Sequence, residues 1–454
     1  MKRLIKWVAG VVASLLVMIG IAILGWNVID RPPAVAEGRE ATTQFDAQAL
    51  YVLIDADMAA TAYADGILHP IADASDKLIS FSDLGNANPE RRVTSVTNTV
   101  MGWPGSMSAS PDMSRLYVVT ARDQPDRSIE AFAGGVIAEM PLARQLNTID
   151  SETGEIIASA ETCAHPMAVD VASNGTWLLI ACGNNEAQLQ IFAIVDGVPS
   201  DPRTFTLDVP VYELAEAEPG ARFASVHPSN AAAGVILHNR VVVRADFSLD
   251  EAGVPDAVTV GETLDTGGWL SMSRWTPSGG QFIATDVAWG PAPTDALFNS
   301  NGRLLSISMP AAGQPIIRSQ VEVSKSPESF EFNRQGDMIA VVNMERTGVP
   351  SGVLSLAPGR SSSSLSLVGV DDATGELVLH GDPIGFRGVL PEDVAFDADG
   401  DQLAVVVFQD HDAPRSDGWL TYFEIENTDQ GPRLVPLKKR TPLPRGGHDL
   451  LARY

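Results

Sequence analysis

Gly105, Met167, Arg222, Ser271, Glu328 and Glu392 occupy one and the same position in a phrase that recurs along the chain. Two are carboxylic acids and one is a guanidinium, so together they can bind a polar ligand, hold a cation or divide acid–base work. Hydrolytic acid–base chemistry needs a group that activates water and a cation that holds the developing oxyanion. His165 or a carboxylate can serve as the first, and Arg222 or Arg274 as the second. The bland alternative is a set of solvated residues at a channel mouth, with His165 an ordinary loop histidine ahead of a strand.

Other chemistries find less support. Asp397-Ala398-Asp399-Gly400-Asp401 has the alternating carboxylates of a calcium loop, which makes Asp397, Asp399 and Asp401 candidate metal ligands. The twelfth position of such a loop is Phe408, which offers no oxygen, and Asp and Gly also favour a hairpin turn here. No two histidines have metal-ligand spacing, and there is no Gly-rich phosphate loop or G-x-S-x-G elbow, so no organic cofactor is implied. The two cysteines, Cys163 and Cys182, are compatible with a bridge or with two buried thiols. A regular hairpin about Asn174-Gly175 sets Cys182 opposite Met167, which is too far from Cys163 unless the chain bends before Pro166.

The elements that position these residues follow from the phrase itself. Pro166-Met167-Ala168-Val169-Asp170-Val171, a turn at Asn174-Gly175 and Trp177-Leu178-Leu179-Ile180 form its clearest copy. Pro327 to Val342 and Pro391 to Val407 repeat it, with turns at Gln335-Gly336 and Asp399-Gly400, and a fourth copy starts at Pro104. Weaker copies centre on Val226 and Trp275, and a degenerate first one starts at Phe45, at steps of roughly 50 to 65 residues. Runs of Val, Ile, Thr and aromatics broken by Gly turns indicate hairpins and exclude helical solenoids. Seven such units, none able to bury both faces of its own sheet, predict an all-β seven-bladed β-propeller over residues 45–454. The strand after each Pro is expected innermost, which brings the six aligned side chains to one level of the central channel. Ring closure is expected to pair segment 48–55 with strands near the C-terminus, such as Trp419–Ile425.

Ahead of the propeller, Trp7 to Trp26 is an uncharged apolar stretch of 20 residues, preceded by Lys2, Arg3 and Lys6 and followed by Asp30. That length and charge asymmetry predict a single transmembrane helix within residues 1–26, with all that follows outside the cytoplasm. Ala34-Val35-Ala36 offers the alternative of a cleaved signal peptide. Residues 27–44, with Pro-Pro and mixed charge, read as a linker. A net charge of −26 repels phosphate backbones, so nucleic-acid binding is not expected.

Ser110-Pro111-Asp112 with Leu116-Tyr117-Val118-Val119-Thr120, and His165-Pro166 leading to Asn174-Gly175, resemble the YVTN-type and lactonase-like seven-bladed propellers of bacteria. The resemblance covers most of residues 45–454. Some relatives hydrolyse lactones in the manner of 6-phosphogluconolactonase or carboxymuconate-cyclising enzymes, and many are exported binding or surface proteins. By that analogy His165, Arg222, Glu328 and Glu392 would carry lactonase chemistry. The chain departs from the pattern by having no His-Pro at the matching position of its other repeats, and by its N-terminal apolar segment. The function expected from the sequence is a propeller anchored in the bacterial inner membrane and exposed to the periplasm, binding a protein or small-molecule ligand. The alternative is an exported lactonase-type hydrolase with its site at the channel mouth.

Overall fold

The computed structural model describes Met18, Gly20, Gly25, Trp26 and residues 30–454, except 85, 87–88, 97–103, 185–186, 210–219, 291–294, 350–357, 361 and 412. Seven antiparallel sheets form a β-propeller. Six begin with an innermost strand that follows the recurring phrase: Met107–Ala109, Pro166–Val171, Ala221–Val226, Leu270–Trp275, Pro327–Phe332 and Val389–Phe396. We call these blades 2 to 7. Second strands such as Trp177–Cys182 and Gln402–Gln409 are buried along their whole length, because a neighbouring blade covers each face. A Val, Leu or Ile so covered contributes roughly 1.5–3 kcal/mol relative to exposure. Outer strands such as Ile156–Glu161 carry the solvent-facing residues.

Blade 1 closes the ring with both chain ends. Ala49–Ile54 is its second strand, and its innermost strand is the C-terminal segment Gly447–Arg453, with Ala49 opposite Arg453 and Ile54 opposite Gly447. The expected partner Trp419–Ile425 instead lies within the third strand of blade 7, Gly418–Thr428, and is hydrogen-bonded on both edges there. Both of its edges being occupied, it has none to offer Ala49–Ile54.

The predicted transmembrane span, residues 4–26, lies almost wholly outside the described residues. Among the described residues no helix is long and apolar enough to cross a membrane. The described part of the linker lies along the propeller. Asp30 pairs with Arg346 and Lys325, Val35 and Arg39 form parallel bridges to Gly385 and Leu437, and Arg39 pairs with Glu424 and Glu426. Trp26 stacks on Phe298 with ring centroids 5.3 Å apart.

Cys163 and Cys182 form a disulfide with a Cα separation of 6.1 Å. The bend that the regular hairpin lacked is present. His165 adopts φ 60°, and the ladder slips by one residue so that Pro166, not Met167, faces Cys182.

Candidate functional site

The slip beside Cys182 is general. In six of the seven blades the first ladder has a β-bulge near the start of the innermost strand. The extra residues are Met167 in blade 3, Arg222 in blade 4, Ser271 with Met272 in blade 5, and Glu328 in blade 6. In blades 7 and 1 the bulges hold Glu392 with Asp393 and His448 with Asp449. A bulge leaves a residue outside the ladder and re-aims its side chain. The residue just before the strand is left-handed in four blades, at His165, Gly220, Ser326 and Gly446, and in blade 7 the second residue of the strand, Leu390, takes that conformation. At Gly446 a Cβ would fall 1.7 Å from the Asp55 carbonyl oxygen, so only glycine fits.

These bulges bring side chains from separate blades together. Glu328 and Glu392 are buried in neighbouring blades and interact. Burial, reinforced by the charge of Glu392, holds the Glu328 carboxyl well above the usual range, with Arg222 opposing from blade 4. Burial also raises Glu392, against the opposing influence of His448. The His448 imidazole, fully buried in blade 1, is lowered by desolvation but raised overall by Glu392 beside it. His448 Nδ1 stands 3.8 Å from Glu392 Oε2, an ion-pair distance, and its Nε2 stands 3.3 Å from the Ser106 hydroxyl. Four adjacent blades thus contribute Glu328, Glu392, His448 and Ser106, while Arg222 acts from across the ring. This arrangement can store and exchange a proton in a site shielded from water, under the influence of the Arg222 charge.

The layer beneath is structural. Asp393 Oδ2 accepts from the Leu450 amide, and Asp449 Oδ2 accepts from the amides of Gly105 and Met107, so carboxylates tie blade 7 to blade 1 and blade 1 to blade 2.

His165 sits apart from the carboxylate pair. Its ring is buried against Gly183 and is pushed down to about 3 by desolvation and by the charges of Arg122 and Arg222. It is therefore neutral at physiological pH. Arg222 is the link between the two groups, since it acts on both His165 and Glu328. Asp397 Oδ1 accepts from the amides of Gly400, Asp401 and Gln402, while Asp399 and Asp401 face solvent. The local geometry is that of a hairpin turn. Arg274 pairs with Glu331 at 3.4 Å.

Segment 55–76, between the second and third strands of blade 1, packs against the start of blade 7's first two-strand ladder at the bulged end. Its Met58, Ala60, Ala62 and Leu68 pack with Phe132, Val136 and Met140 of a neighbouring loop and with Leu390 and Phe408 beneath. Tyr63 leans on this cluster. Desolvation and the charges of Asp55, Glu392, Asp57 and Glu328 push its phenol well above the ordinary value. Asp55, Asp57 and Asp76 form a second buried acidic group at the base of the same segment. The surface cleft lined by Ser110, Asp112, Asn174 and Gly197 lies at the hairpin end and contains none of the bulge residues.

Sequence reasoning located Arg222, Glu328 and Glu392 but missed His448, Ser106, Tyr63 and the Asp55 group. Gly447–Arg453 has neither the Pro nor the hairpin turn of the other copies, so the alignment of repeats stopped at six. The available signal was closure itself, because a seventh innermost strand had to come from one of the chain ends.

No family model and no curated protein sequence matches the chain. Its fold is similar to solved seven-bladed propellers of the lactonase-like kind. A protein of Bacteroides fragilis assigned as a 6-phosphogluconolactonase aligns with TM-score 0.58 and 12% identity over 89% of this chain and 98% of that one. The periplasmic gluconolactonase of Pseudomonas aeruginosa aligns with TM-score 0.57 and 14% identity over 89% and 99%. A protein of Bacteroides uniformis assigned as a 6-phosphogluconolactonase gives 0.58 and 12% over 89% and 99%. At such identities the likeness defines the fold and leaves the chemistry to the site.

Proposed function

We propose that the protein is an exported lactonase-type hydrolase acting at the bulged end of the propeller channel. The observation that carries this reading is the buried Glu328–Glu392 pair beside His448, with Arg222 across the ring. In this reading the Glu392–His448 pair takes a proton from the attacking water. Glu328, kept protonated by its surroundings, returns a proton to the ring oxygen as the acyl C–O bond breaks. Arg222 holds the oxyanion that forms on the carbonyl. Segment 55–76 moves to admit substrate, since the pair is buried beneath it. The lactonase-like fold neighbours support the substrate class.

The test is hydrolysis of gluconolactone and simple γ- and δ-lactones by the wild type and by the Glu328→Gln/Glu392→Gln variant. The expected result is a loss of at least tenfold in the variant, about 1.4 kcal/mol at the barrier. An inert wild type, or a variant that retains full activity, overturns the reading. That result favours the second one, a non-catalytic binding propeller whose loops recognise a protein or small ligand, which the closure of the channel by segment 55–76 supports.

We also infer that residues 4–26 anchor the protein in the inner membrane with the propeller in the periplasm. The Cys163–Cys182 bridge supports an oxidising compartment. Full-length protein is expected in a carbonate-resistant membrane pellet. A soluble product beginning at Glu37 would instead make Ala34-Val35-Ala36 a cleavage site.

A further inference from the structure

At the neck of segment 55–76 the chain leaves one strand and enters the next through acidic residues. Asp55 follows Ile54 directly, Asp57 is two residues on, and Asp76 immediately precedes Lys77; Ile54 and Lys77 face each other in the ladder. All three carboxylates are buried, and one oxygen from each lies within 4.8 Å of those of the other two. Oxygens bound to one calcium ion at 2.3–2.6 Å lie at most about 5.2 Å apart, so the spacing suits shared coordination.

Two further observations point to a ligand. Asp57 is 7% exposed, and both of its carboxylate oxygens are buried without a hydrogen-bond partner, aimed at the other two acids. The Tyr63 hydroxyl, carried by the same segment and close enough to feel Asp55 and Asp57, is likewise buried without a hydrogen-bond partner. Buried carboxylates are paired or bind metal. Arg445 faces Asp55 and Asp57, while its hydrogen bonds go to the carbonyl oxygens of His69, Pro414 and Ala56. A hard divalent cation would relieve the crowding of these buried acids through oxygen ligands.

We propose that Asp55, Asp57 and Asp76 bind one divalent cation of the calcium type, which clasps the two ends of segment 55–76 and holds that segment down over the channel. The site is distinct from the Asp397–Asp401 turn and does not depend on the hydrolase reading. Occupancy fixes the segment that carries Tyr63, so the cation controls access to the channel end without touching the Glu328–Glu392 pair.

The test uses purified full chain, stripped with EDTA and then titrated with calcium alone by calorimetry, with magnesium and manganese in parallel. The expected result is one ion bound per chain, a raised thermal midpoint and slower proteolytic cleavage within residues 55–76. Asp57→Asn and Asp76→Asn should each weaken binding at least tenfold while keeping the wild-type circular dichroism spectrum. Asp399→Asn/Asp401→Asn should bind like the wild type. Absence of binding by all three ions up to about 10 mM, above the range of the weakest modular calcium sites, overturns the proposal. So does binding that Asp57→Asn leaves unchanged, or that Asp399→Asn/Asp401→Asn abolishes.

Discussion

The innermost strands have two ends, and the two are built differently. At the hairpin end, short polar side chains fold back on their own backbone in copy after copy. Asp112 Oδ1 accepts from the Ser114 amide, Asn174 Oδ1 from Thr176, Asn333 Oδ1 from Gly336, and Asp397 Oδ1 from Gly400. At the bulged end the backbone repeats but the side chains do not. His165, Ser326 and Leu390 take positive φ without being glycine, and the residues thrown out of the ladder range from Met167 to Glu328 to His448. Non-glycine residues in that region cost energy and are kept where the surroundings over-determine them. A repeated side chain reports a shared structural task, whereas a repeated backbone carrying different side chains leaves room for chemistry. In this propeller the hairpin end repeats the fold's own signals and the bulged end gathers buried titratable groups.

Three experiments break or sharpen that contrast. The largest effect is expected from deleting Gly447–Tyr454, which removes both the innermost strand of blade 1 and His448. The uncovered edge of Ala49–Ile54 then invites intermolecular pairing. Size-exclusion chromatography should show aggregate in place of monomer, and a well-folded monomer would refute closure through the C-terminal strand.

A smaller effect is expected at the disulfide, which braces the left-handed turn at His165. The sequence separation of Cys163 and Cys182 is 19, and a loop of that size corresponds to about 3 kcal/mol in the chain-entropy treatment. Cys163→Ser/Cys182→Ser should lower stability by an amount of that order in urea unfolding. An unchanged midpoint would mean that the bulge is held without the bridge.

The smallest effect belongs to the hairpin end. Burial pushes the Asp397 carboxyl up to about 6, with backbone amides opposing and Asp401 adding to the rise. A raised carboxyl stabilises the folded state below its unfolded value near 4, and that contribution is lost as pH rises through 6. Asp397→Asn keeps the acceptor oxygen and removes the titration. Its melting temperature should therefore gain on the wild type between pH 4 and pH 7, with lactone hydrolysis unaffected. A difference independent of pH would show that Asp397 titrates alike in the folded and unfolded chain.

Much of this molecule was legible because its signals are local. The placement of Val169 and Val171 about Asp170, the Asn174-Gly175 turn and the prolines at 104, 166, 327 and 391 act over a few residues. Each copy repeats the message, so even the weak ones at Val226 and Trp275 could be aligned. Alignment alone also brought Arg222, Glu328 and Glu392 to one level. The bulges were not legible, because a one-residue slip depends on the partner strand. For the same reason the Cys163–Cys182 bridge stayed open until the bend at His165 was seen.

The sequence by itself therefore determined the strands, their hairpins, their number to within the closing blade, and the equivalent places that two glutamates and an arginine take in their blades. Tertiary structure alone decided that His448, near the C-terminus, stands between Glu392 and Ser106, and that Asp76 joins Asp55 and Asp57. The reason is physical: these residues are separated by 19 to 342 positions in the chain and meet only through ladder pairing and ring closure. No local propensity encodes where a ring will close, since the energy that selects it comes from strands burying their faces against blades remote in sequence.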